Sequence, residues 1–159
     1  MAEGPNEWIL LLLSITTEIK RRIPSSAMGR AIAVHGGAGI DPCLPMERQQ
    51  EAKDLLLHYI NLGVSALKAS VPAIDVVELM VRELENNPVL NSGRGSALSA
   101  KGTVEMDASI MDGFRNKCGA VYGLSTSLAR IVMENSPYVY LGFNGVEDFA
   151  RKQGEDNHN

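Results

Sequence analysis

The sequence predicts an α/β chain in which at least part of the sheet is antiparallel. Three stretches support this prediction: an aliphatic run over residues 31–34 that enters a glycine turn, two consecutive helical segments, and an apolar–polar alternation over residues 104–111. A short aliphatic run that ends at glycines is typical of a buried strand, and a period of two is typical of a strand with one packed face. From residue 30 onward the expected order is strand, two helices, two strands, helix, strand and helix.

The two helices are predicted over residues 47–68 and 73–85. In the first, apolar side chains recur at helical spacing along one stripe, namely Ala52, Leu55, Leu56, Tyr59, Ile60 and Leu62 or Val64. Pro45 precedes this helix and Pro72 interrupts the pattern behind it. The second helix has a broad apolar face and is expected to be buried. Pro88 ends its periodicity, and Gly93 and Gly95 favour irregular backbone, so a structured loop is expected next.

The stretch "KGTVEMDASIMDG" contains a Gly-Thr bond, at Gly102 and Thr103. One class of hydrolase cuts itself at such a bond and then uses the freed threonine as nucleophile, with its own amine as the base. The alternation that follows instead places Thr103 at the start of a strand, and the turn signal at Asp112 and Gly113 predicts a hairpin with residues 118–124. A cut before Thr103 would sever the chain ahead of a core strand, so a structural role is the preferred interpretation.

The acids in this stretch have simpler explanations than a metal site. Glu105 and Asp107 occupy alternate positions of the predicted strand, on its solvated side, and Asp112 belongs to the turn. Further on, a helix is predicted over residues 127–134, a strand over 138–143, and a last helix over 145–152 that stops near Gly154. Residues 155–159 form a polar tail.

Composition restricts the classes of function. The chain has 159 residues, about one domain, with 45% hydrophobic residues and a net charge of -4. The absence of a basic surplus argues against nucleic acid as a partner. Cys43 and Cys118 are isolated thiols without a CxxC spacing, which favours a reducing, cytoplasmic location.

Residues 1–27 differ from the rest and are interpreted as an extension of a domain that starts at Met28. The apolar run over residues 8–15 is far shorter than the roughly 20 residues that a membrane-spanning helix needs. A signal peptide is the alternative, but the basic residues follow the apolar run, and no clear cleavage site comes after it. An upstream reading-frame artefact or a weak targeting segment fits better, and no membrane partner is expected.

The glycines of "HGGAG", residues 35–39, allow a close approach of the backbone to a neighbouring group. A tight turn and a phosphate cradle both fit this composition, although neither GxGxxG nor GxxxxGK[ST] is present. His35 is expected to be a packed or hydrogen-bonded residue, since no second metal ligand lies at a suitable spacing.

Several ordered segments together resemble one family. Over residues 28–154 the chain is similar to the amino-terminal half of the plant-type asparaginases, the isoaspartyl peptidase/L-asparaginase group of N-terminal nucleophile hydrolases. The segments are "AIAVHGGAG", "DVVELMVRELENNPVLNSGRGSAL", "KGTVEMDASIMDG", "CGAVYGL" and "SLARIVMENSPYVYLGFNGVEDFARKQG". The resemblance implies an incomplete four-layer αββα sandwich, a precursor that cuts itself at a Gly-Thr bond, and hydrolysis of L-asparagine and β-aspartyl dipeptides by the freed threonine.

In that family the nucleophile, the oxyanion donors and the residues that grip the substrate lie in the β half, so no catalytic residue is expected among these 159 residues. Thr103 matches a threonine inside the α half. The resemblance gives supporting roles near the nucleophile to Asn91, Gly36 and Gly37. It also implies a sodium site, with no organic cofactor, built from the backbone carbonyls of Leu84, Glu85, Asn87, Leu90, Ser92 and Arg94. A plain ordered loop is the alternative for this last segment.

Two departures from the family pattern favour an inactive chain. The family has several more residues where Thr126 is followed directly by Ser127, a segment that forms an alkali-metal activation loop in some plant members, and this loss is expected to shift or strain the following helix. The chain also ends at Asn159, before the family's cleavage point. A truncated hydrolase that is inactive alone is therefore expected. Its partner would be the β half or a full-length homologue, in a family of (αβ)2 dimers whose complete enzymes act on small amide substrates.

Two other functions stay open. A regulatory fragment could pair with a full-length paralogue, because half of a sandwich leaves an apolar face uncovered. An independent ligand-binding module could instead use the glycine loops.

Overall fold

The computed structural model describes residues 8–11, 15–23, 30–37, 45–123 and 125–154. The chain divides into two compact units, Met1–Met80 and Val81–Asn159, with the boundary inside a helix. Each unit contains a three-stranded sheet and at least one helix packed on it. The predicted α/β class is confirmed, and this combination of helices and small sheets fits the N-terminal nucleophile hydrolase type.

The sheet of the first unit consists of β1 (Trp8–Leu11), β2 (Ile15–Ile23) and β3 (Arg30–Gly37) in the order β1-β3-β2. Strand β1 runs parallel to β3, with Leu11 opposite Val34, and β2 runs antiparallel to it, with Lys20 opposite Ala33. Only β3 was expected from the sequence. The two additional strands precede residue 28, in the segment interpreted as an extension, and they form because β3 offers hydrogen-bonding groups along both of its edges.

Helix α1 (Met46–Lys68) packs on β3, and helix α2 (Ala73–Glu85) follows it. The predicted bounds of both helices agree with the structure to within one residue. The helices pack closely because glycine stands at two contact points: a side chain at Gly36 would meet Leu56, and one at Gly63 would meet Met80 and Ile32. Among the described residues of this unit, the buried apolar side chains are Ile32, Val34, Leu56, Tyr59, Ile60, Val64, Leu67, Val76 and Met80.

The second unit contains β4 (Asp107–Asp112), β5 (Lys117–Tyr122) and β6 (Tyr140–Leu141), in that order across the sheet. Strands β4 and β5 form the predicted hairpin, with Asp112 opposite Lys117, and β6 runs parallel to β5. Helix α3 (Thr126–Asn135) packs on β4 and β5, and helix α4 (Asn144–Gln153) ends at Gly154 in the left-handed conformation, as predicted. The apolar core residues are Leu84, Leu90, Ala108, Ile110, Val121, Leu128, Ala129, Val132, Met133, Val146 and Ala150.

Two strands are shorter in the structure than the sequence predicted. The strand expected from Thr103 begins at Asp107, because Gly102 adopts φ +77° and the chain turns there. Val104 forms only an isolated bridge with Leu98 and is 42% exposed, so it does not belong to the packed face. The strand expected over residues 138–143 is reduced to Tyr140–Leu141, and Phe143 with φ +53° ends extended pairing.

Within the described residues, no helix combines the length and the apolar character that crossing a membrane requires.

Candidate functional site

The loop that follows α2 is built by local turn chemistry. The Asn87 amide donates to the Leu84 carbonyl at 3.2 Å, and the Leu90 amide donates to the Asn87 carbonyl at 3.3 Å. The Asn87 side chain also accepts from the Val89 amide at 2.9 Å, which closes a turn around Pro88. Leu90 is buried and anchors the loop in the core. The loop is therefore ordered by its own sequence, as Pro88 and the two glycines predicted.

Backbone carbonyls of this loop crowd against its two glycines. A Cβ atom at Gly93, where φ is +58°, would lie 2.0 Å from the Glu85 carbonyl oxygen. A Cβ atom at Gly95 would lie 2.0 Å from the Leu90 carbonyl oxygen and 2.6 Å from that of Pro88. Neither position can accept a side chain without moving backbone. Because Gly93 and Gly95 have no side chain, the carbonyl groups of Glu85, Pro88 and Leu90 can lie close to them.

The six carbonyls that the resemblance assigns to sodium all belong to this loop and to the last turn of α2. Three of them, those of Leu84, Asn87 and Ser92, accept amide hydrogen bonds at 3.2–3.3 Å. A carbonyl oxygen has two lone pairs, so one amide contact leaves a site for a cation. Oxygen donors on an irregular backbone are what a hard cation prefers, and the donor set fits sodium in kind. Ligands from Glu85, Leu90 and Arg94 would complete it.

Asn91 lies in the same loop. Its side-chain oxygen accepts from the Ala97 amide at 2.9 Å, and the residue is exposed. This bond closes the segment from residue 91 to residue 97, which contains both glycines. The role that the resemblance gives to Asn91, positioning a nucleophile, stays a prediction.

Gly36 and Gly37 lie at the end of β3 in the first unit, whereas the loop belongs to the second. Gly36 is buried against Leu56, and a Cβ atom there would lie 2.6 Å from a Leu56 methyl carbon. Close packing of a strand on a helix therefore explains Gly36 without a ligand. The remaining glycine of the motif, Gly39, lies outside the described residues.

Thr103 is held inside a small turn. Its hydroxyl and that of Ser99 lie 2.8 Å apart, and the Ser99 amide donates to the Thr103 carbonyl at 2.8 Å. Gly102 donates back to the Ser99 carbonyl at 2.9 Å. These contacts give the Gly102-Thr103 peptide a structural function in closing the turn.

The nearby acids are held by neighbouring residues. Glu105 accepts a hydrogen bond from the Tyr122 hydroxyl at 3.2 Å, and this bond is the main cause that raises the pKa of Tyr122. Asp112 accepts from the amides of Phe114 and Arg115 at 2.9 and 3.2 Å, in the predicted turn. Among the described residues no group of three or more His, Cys, Asp or Glu side chains could hold a metal ion.

One contact at this site was not predicted. The Glu85 carboxylate accepts from the Thr126 hydroxyl at 2.7 Å and from the Thr126 amide at 3.3 Å. Burial is the main cause that raises the pKa of Glu85, and these bonds oppose it. The partners are 41 positions apart, so no local pattern could have revealed the pair. Helix α3 begins one residue earlier than expected, and Ser125 before it has an ordinary extended conformation, so no strain is visible there.

Comparison with known proteins identifies the family of the chain. The family model described as "Asparaginase" matches residues 28–159. The chain is 66% identical over 131 residues to the probable isoaspartyl peptidase/L-asparaginase 2 of Arabidopsis thaliana. This aligned region covers 79% of the chain and 40% of the Arabidopsis protein. It is 42% identical over 130 residues to the isoaspartyl peptidase of Salmonella typhimurium, and the aligned region covers 77% of the chain and 42% of the Salmonella protein. The human isoaspartyl peptidase/L-asparaginase is 37% identical over 132 residues, and the aligned region covers 80% of the chain and 42% of the human protein.

This α/β chain is thus matched over most of its length by proteins named as isoaspartyl peptidases or L-asparaginases. The chain belongs to the asparaginase family, whose members carry the names isoaspartyl peptidase and L-asparaginase. It spans about two-fifths of the length of the curated relatives that it matches, 40% for the Arabidopsis protein.

Proposed function

We propose that this chain forms the amino-terminal, α part of an isoaspartyl peptidase/L-asparaginase. The reaction would hydrolyse the side-chain amide of L-asparagine or the isopeptide bond of a β-aspartyl dipeptide. The observation that carries the proposal is the 66% identity over 131 residues with a relative that bears both names.

The proposed chemistry divides between two parts of the protein. A threonine with a free α-amine, outside these residues, gives its hydroxyl proton to that amine and attacks the carbonyl carbon. The protonated amine returns this proton to the leaving nitrogen, so that ammonia or the free amino acid departs, and water then hydrolyses the ester. The residues of this chain contribute the scaffold. Asn91, in the loop from Leu84 to Arg94, positions the nucleophile, and the hydrogen bond from the Ala97 amide holds the Asn91 side chain in place.

We further propose that the 159-residue chain alone is inactive. Thr103 is the one threonine here that follows a glycine directly, and its hydroxyl and carbonyl are engaged with Ser99. A free amine at Thr103 would require cutting the turn that these bonds close. No amide hydrolysis is therefore expected without the β part.

The test compares the chain alone with the chain joined to the remaining part of the Arabidopsis relative. Ammonia release from L-asparagine, and amino-acid release from a β-aspartyl dipeptide, are the readouts. The joined protein is expected to be active and the chain alone inactive. Hydrolysis by the pure chain, or an inactive joined protein beside an active, intact Arabidopsis control, would contradict the proposal.

An exposed apolar run supports the need for a partner. Tyr138, Val139, Tyr140 and Phe143 are each more than half exposed, at 67%, 61%, 54% and 75%. So many large apolar side chains in one segment favour cover by another polypeptide. The β part is the proposed cover, and a full-length homologue that takes this chain as a regulatory subunit is the second candidate. A stable one-to-one complex with an intact relative, without activity of its own, would favour the second.

We propose sodium as the ion of the loop, held by the carbonyls of Leu84, Glu85, Asn87, Leu90, Ser92 and Arg94. The crowded carbonyls at Gly93 and Gly95 support this proposal. Bound sodium would stabilise the loop and leave the chemistry to protein groups. Sodium chloride is expected to raise the melting temperature above that in N-methylglucamine chloride at equal ionic strength. Equal melting temperatures in the two salts would contradict a sodium site.

A cytoplasmic location is proposed from the thiols. Cys118 is a free, exposed cysteine, and such a thiol persists in a reducing compartment.

A further inference from the structure

Glu85 contacts two different segments with its two ends. Its backbone carbonyl lies against Gly93 in the loop, where a Cβ atom would come within 2.0 Å of the oxygen. Its side chain reaches α3, where Thr126 is buried with 2% exposure and donates both its hydroxyl and its amide. A single residue at the end of α2 thus joins the loop to the first turn of α3.

This contact supplies a hydrogen-bond acceptor to the first turn of α3. The amides that begin a helix lack partners inside it, and an N-cap side chain usually accepts from one of them. Ser125 occupies the N-cap position but makes no side-chain capping bond. The Glu85 carboxylate supplies the acceptor instead, and a negative charge at a helix N-terminus is favoured by the helix dipole. The acceptor for α3 therefore comes from a residue 41 positions earlier.

We propose that Glu85 couples cation binding in the loop to the order of helix α3. The coupling rests on the proposed sodium site, because it needs the Glu85 carbonyl to be one of the ligands. A bound ion fixes that carbonyl and restricts the residue that carries it, so the Glu85 carboxylate is held where it accepts from Thr126. Coupling between two sites is reciprocal, so a well-formed first turn of α3 also favours the ordered loop.

A second contact could also transmit the effect of cation binding from the loop to α3, and the experiment must distinguish it from the contact through Glu85. The Gly93 amide donates to the Met106 sulfur, just before β4, and α3 packs on β4. Variants at position 126 leave the Met106 contact in place. They therefore distinguish transmission through Glu85 from transmission through the sheet.

The experiment measures amide hydrogen exchange in the full 159-residue chain, in sodium chloride and in N-methylglucamine chloride. Gly95 and Ser96 report on the loop, because their amides donate to the carbonyls of Ser92 and Gly93. Thr126 and Ala129 report on the first turn of α3. E85A removes both bonds of this contact, whereas T126V removes the hydroxyl bond and leaves the amide bond in place. T126S and E85Q are the matched controls, because each retains a donor or an acceptor at the same place.

In the wild-type chain and in T126S and E85Q, sodium is expected to slow exchange in the loop and, by about fivefold or more, at the amides of positions 126 and 129. In both T126V and E85A the loop should still respond to sodium. In E85A, which loses both bonds, the effect of sodium on exchange at positions 126 and 129 should fall below about twofold. In T126V, which keeps the amide bond to Glu85, that effect should be smaller than in T126S. Two disrupting variants are used so that the failure of one to fold leaves the comparison intact.

The possible failures are distinguishable. If sodium slows exchange in α3 equally in T126V, E85A and the wild type, the coupling through Glu85 is wrong and the sodium site stands. If sodium slows exchange nowhere in the wild type, the sodium site is wrong. The coupling between α3 and the loop through Glu85 is then tested without sodium. T126V and E85A must speed exchange at Gly95 and Ser96 relative to T126S and E85Q. Equal rates in the four variants would show that this coupling is also wrong.

Discussion

Single residues set the conformation of the loop, and Gly93 is the clearest case. G93A would place a methyl group 2.0 Å from the Glu85 carbonyl oxygen at φ +58°, so it should destabilise the fold by about 2 kcal/mol or more. Gly102 is the matched control, because it also has positive φ, at +77°, but open space around its Cβ position. G102A should cost only about 1 kcal/mol. Urea unfolding of the two variants measures the difference, and equal losses would mean that the carbonyl is not in close contact.

Tyr122 should ionise at higher pH than a free tyrosine. Its hydroxyl donates to Glu105, and both this bond and the negative charge of Glu105 raise its pKa above the ordinary 10.0. A raised pKa means that the folded state holds the proton more strongly. The stabilisation is complete below pH 10 and is lost as pH rises through the folded pKa. E105Q should lower that pKa.

Tyrosinate absorbance during an alkaline titration checks this prediction, and Y122F identifies the signal that belongs to Tyr122. An unchanged titration in E105Q would exclude Glu105 as the cause.

At the scale of elements, the packing of α3 on β5 depends on Gly119. A Cβ atom there would lie 2.1 Å from the Ala129 carbonyl oxygen and 2.5 Å from the Met133 amide nitrogen, and both are backbone atoms of α3. G119A should therefore push the helix off the strand and destabilise the fold by about 2 kcal/mol. G113A in the neighbouring turn meets nothing within 4 Å and should change stability by less than about 0.5 kcal/mol. Thermal unfolding compares them, and similar melting temperatures would contradict the close contact.

The start of α4 stores backbone strain at Phe143. This residue is the N-cap, with φ +53° and ψ −140°, a region that favours glycine, and its ring packs on Tyr122 at a centroid distance of 5.2 Å. F143A removes the ring and keeps the strain, whereas F143G removes both. F143G should thus be more stable than F143A by about 1 kcal/mol. Denaturant midpoints measure this difference, and a less stable F143G would show that the backbone is not strained.

The elements show which features a sequence can predict. Helices α1 and α2 were predicted to within one residue, because prolines at 45, 72 and 88 mark their limits and apolar periodicity fills the interval. The hairpin of β4 and β5 was predicted from alternation and from Asp112 in the turn. Strands β1 and β2 were not, because residues 1–27 were interpreted as an extension of the domain, either a reading-frame artefact or a weak targeting segment. Glu85 and Thr126 were missed because they are 41 positions apart.

At the scale of the whole molecule, the sequence motifs predicted the family, and the comparisons confirm it. The residues assigned to the sodium site and the supporting role of Asn91 came from the resemblance alone. The local sequence pattern predicted only an ordered loop there. Every residue has a backbone carbonyl, and the direction of that carbonyl depends on φ and ψ, so the sequence does not show which carbonyls could bind an ion. The crowding at Gly93 and Gly95 is what the structure adds.

The proposed division of labour between this chain and the β part can be tested by the intact mass of the joined protein. The resemblance implies self-cleavage at a Gly-Thr bond that separates the α part from the β part, and cleavage requires that both parts build one site. We expect two fragments under denaturing conditions, one of which begins with that threonine, and no cut between Gly102 and Thr103. A single uncut chain beside a cleaved Arabidopsis control, or a fragment that begins at Thr103, would contradict the proposal that this chain is the α part of a self-processing hydrolase.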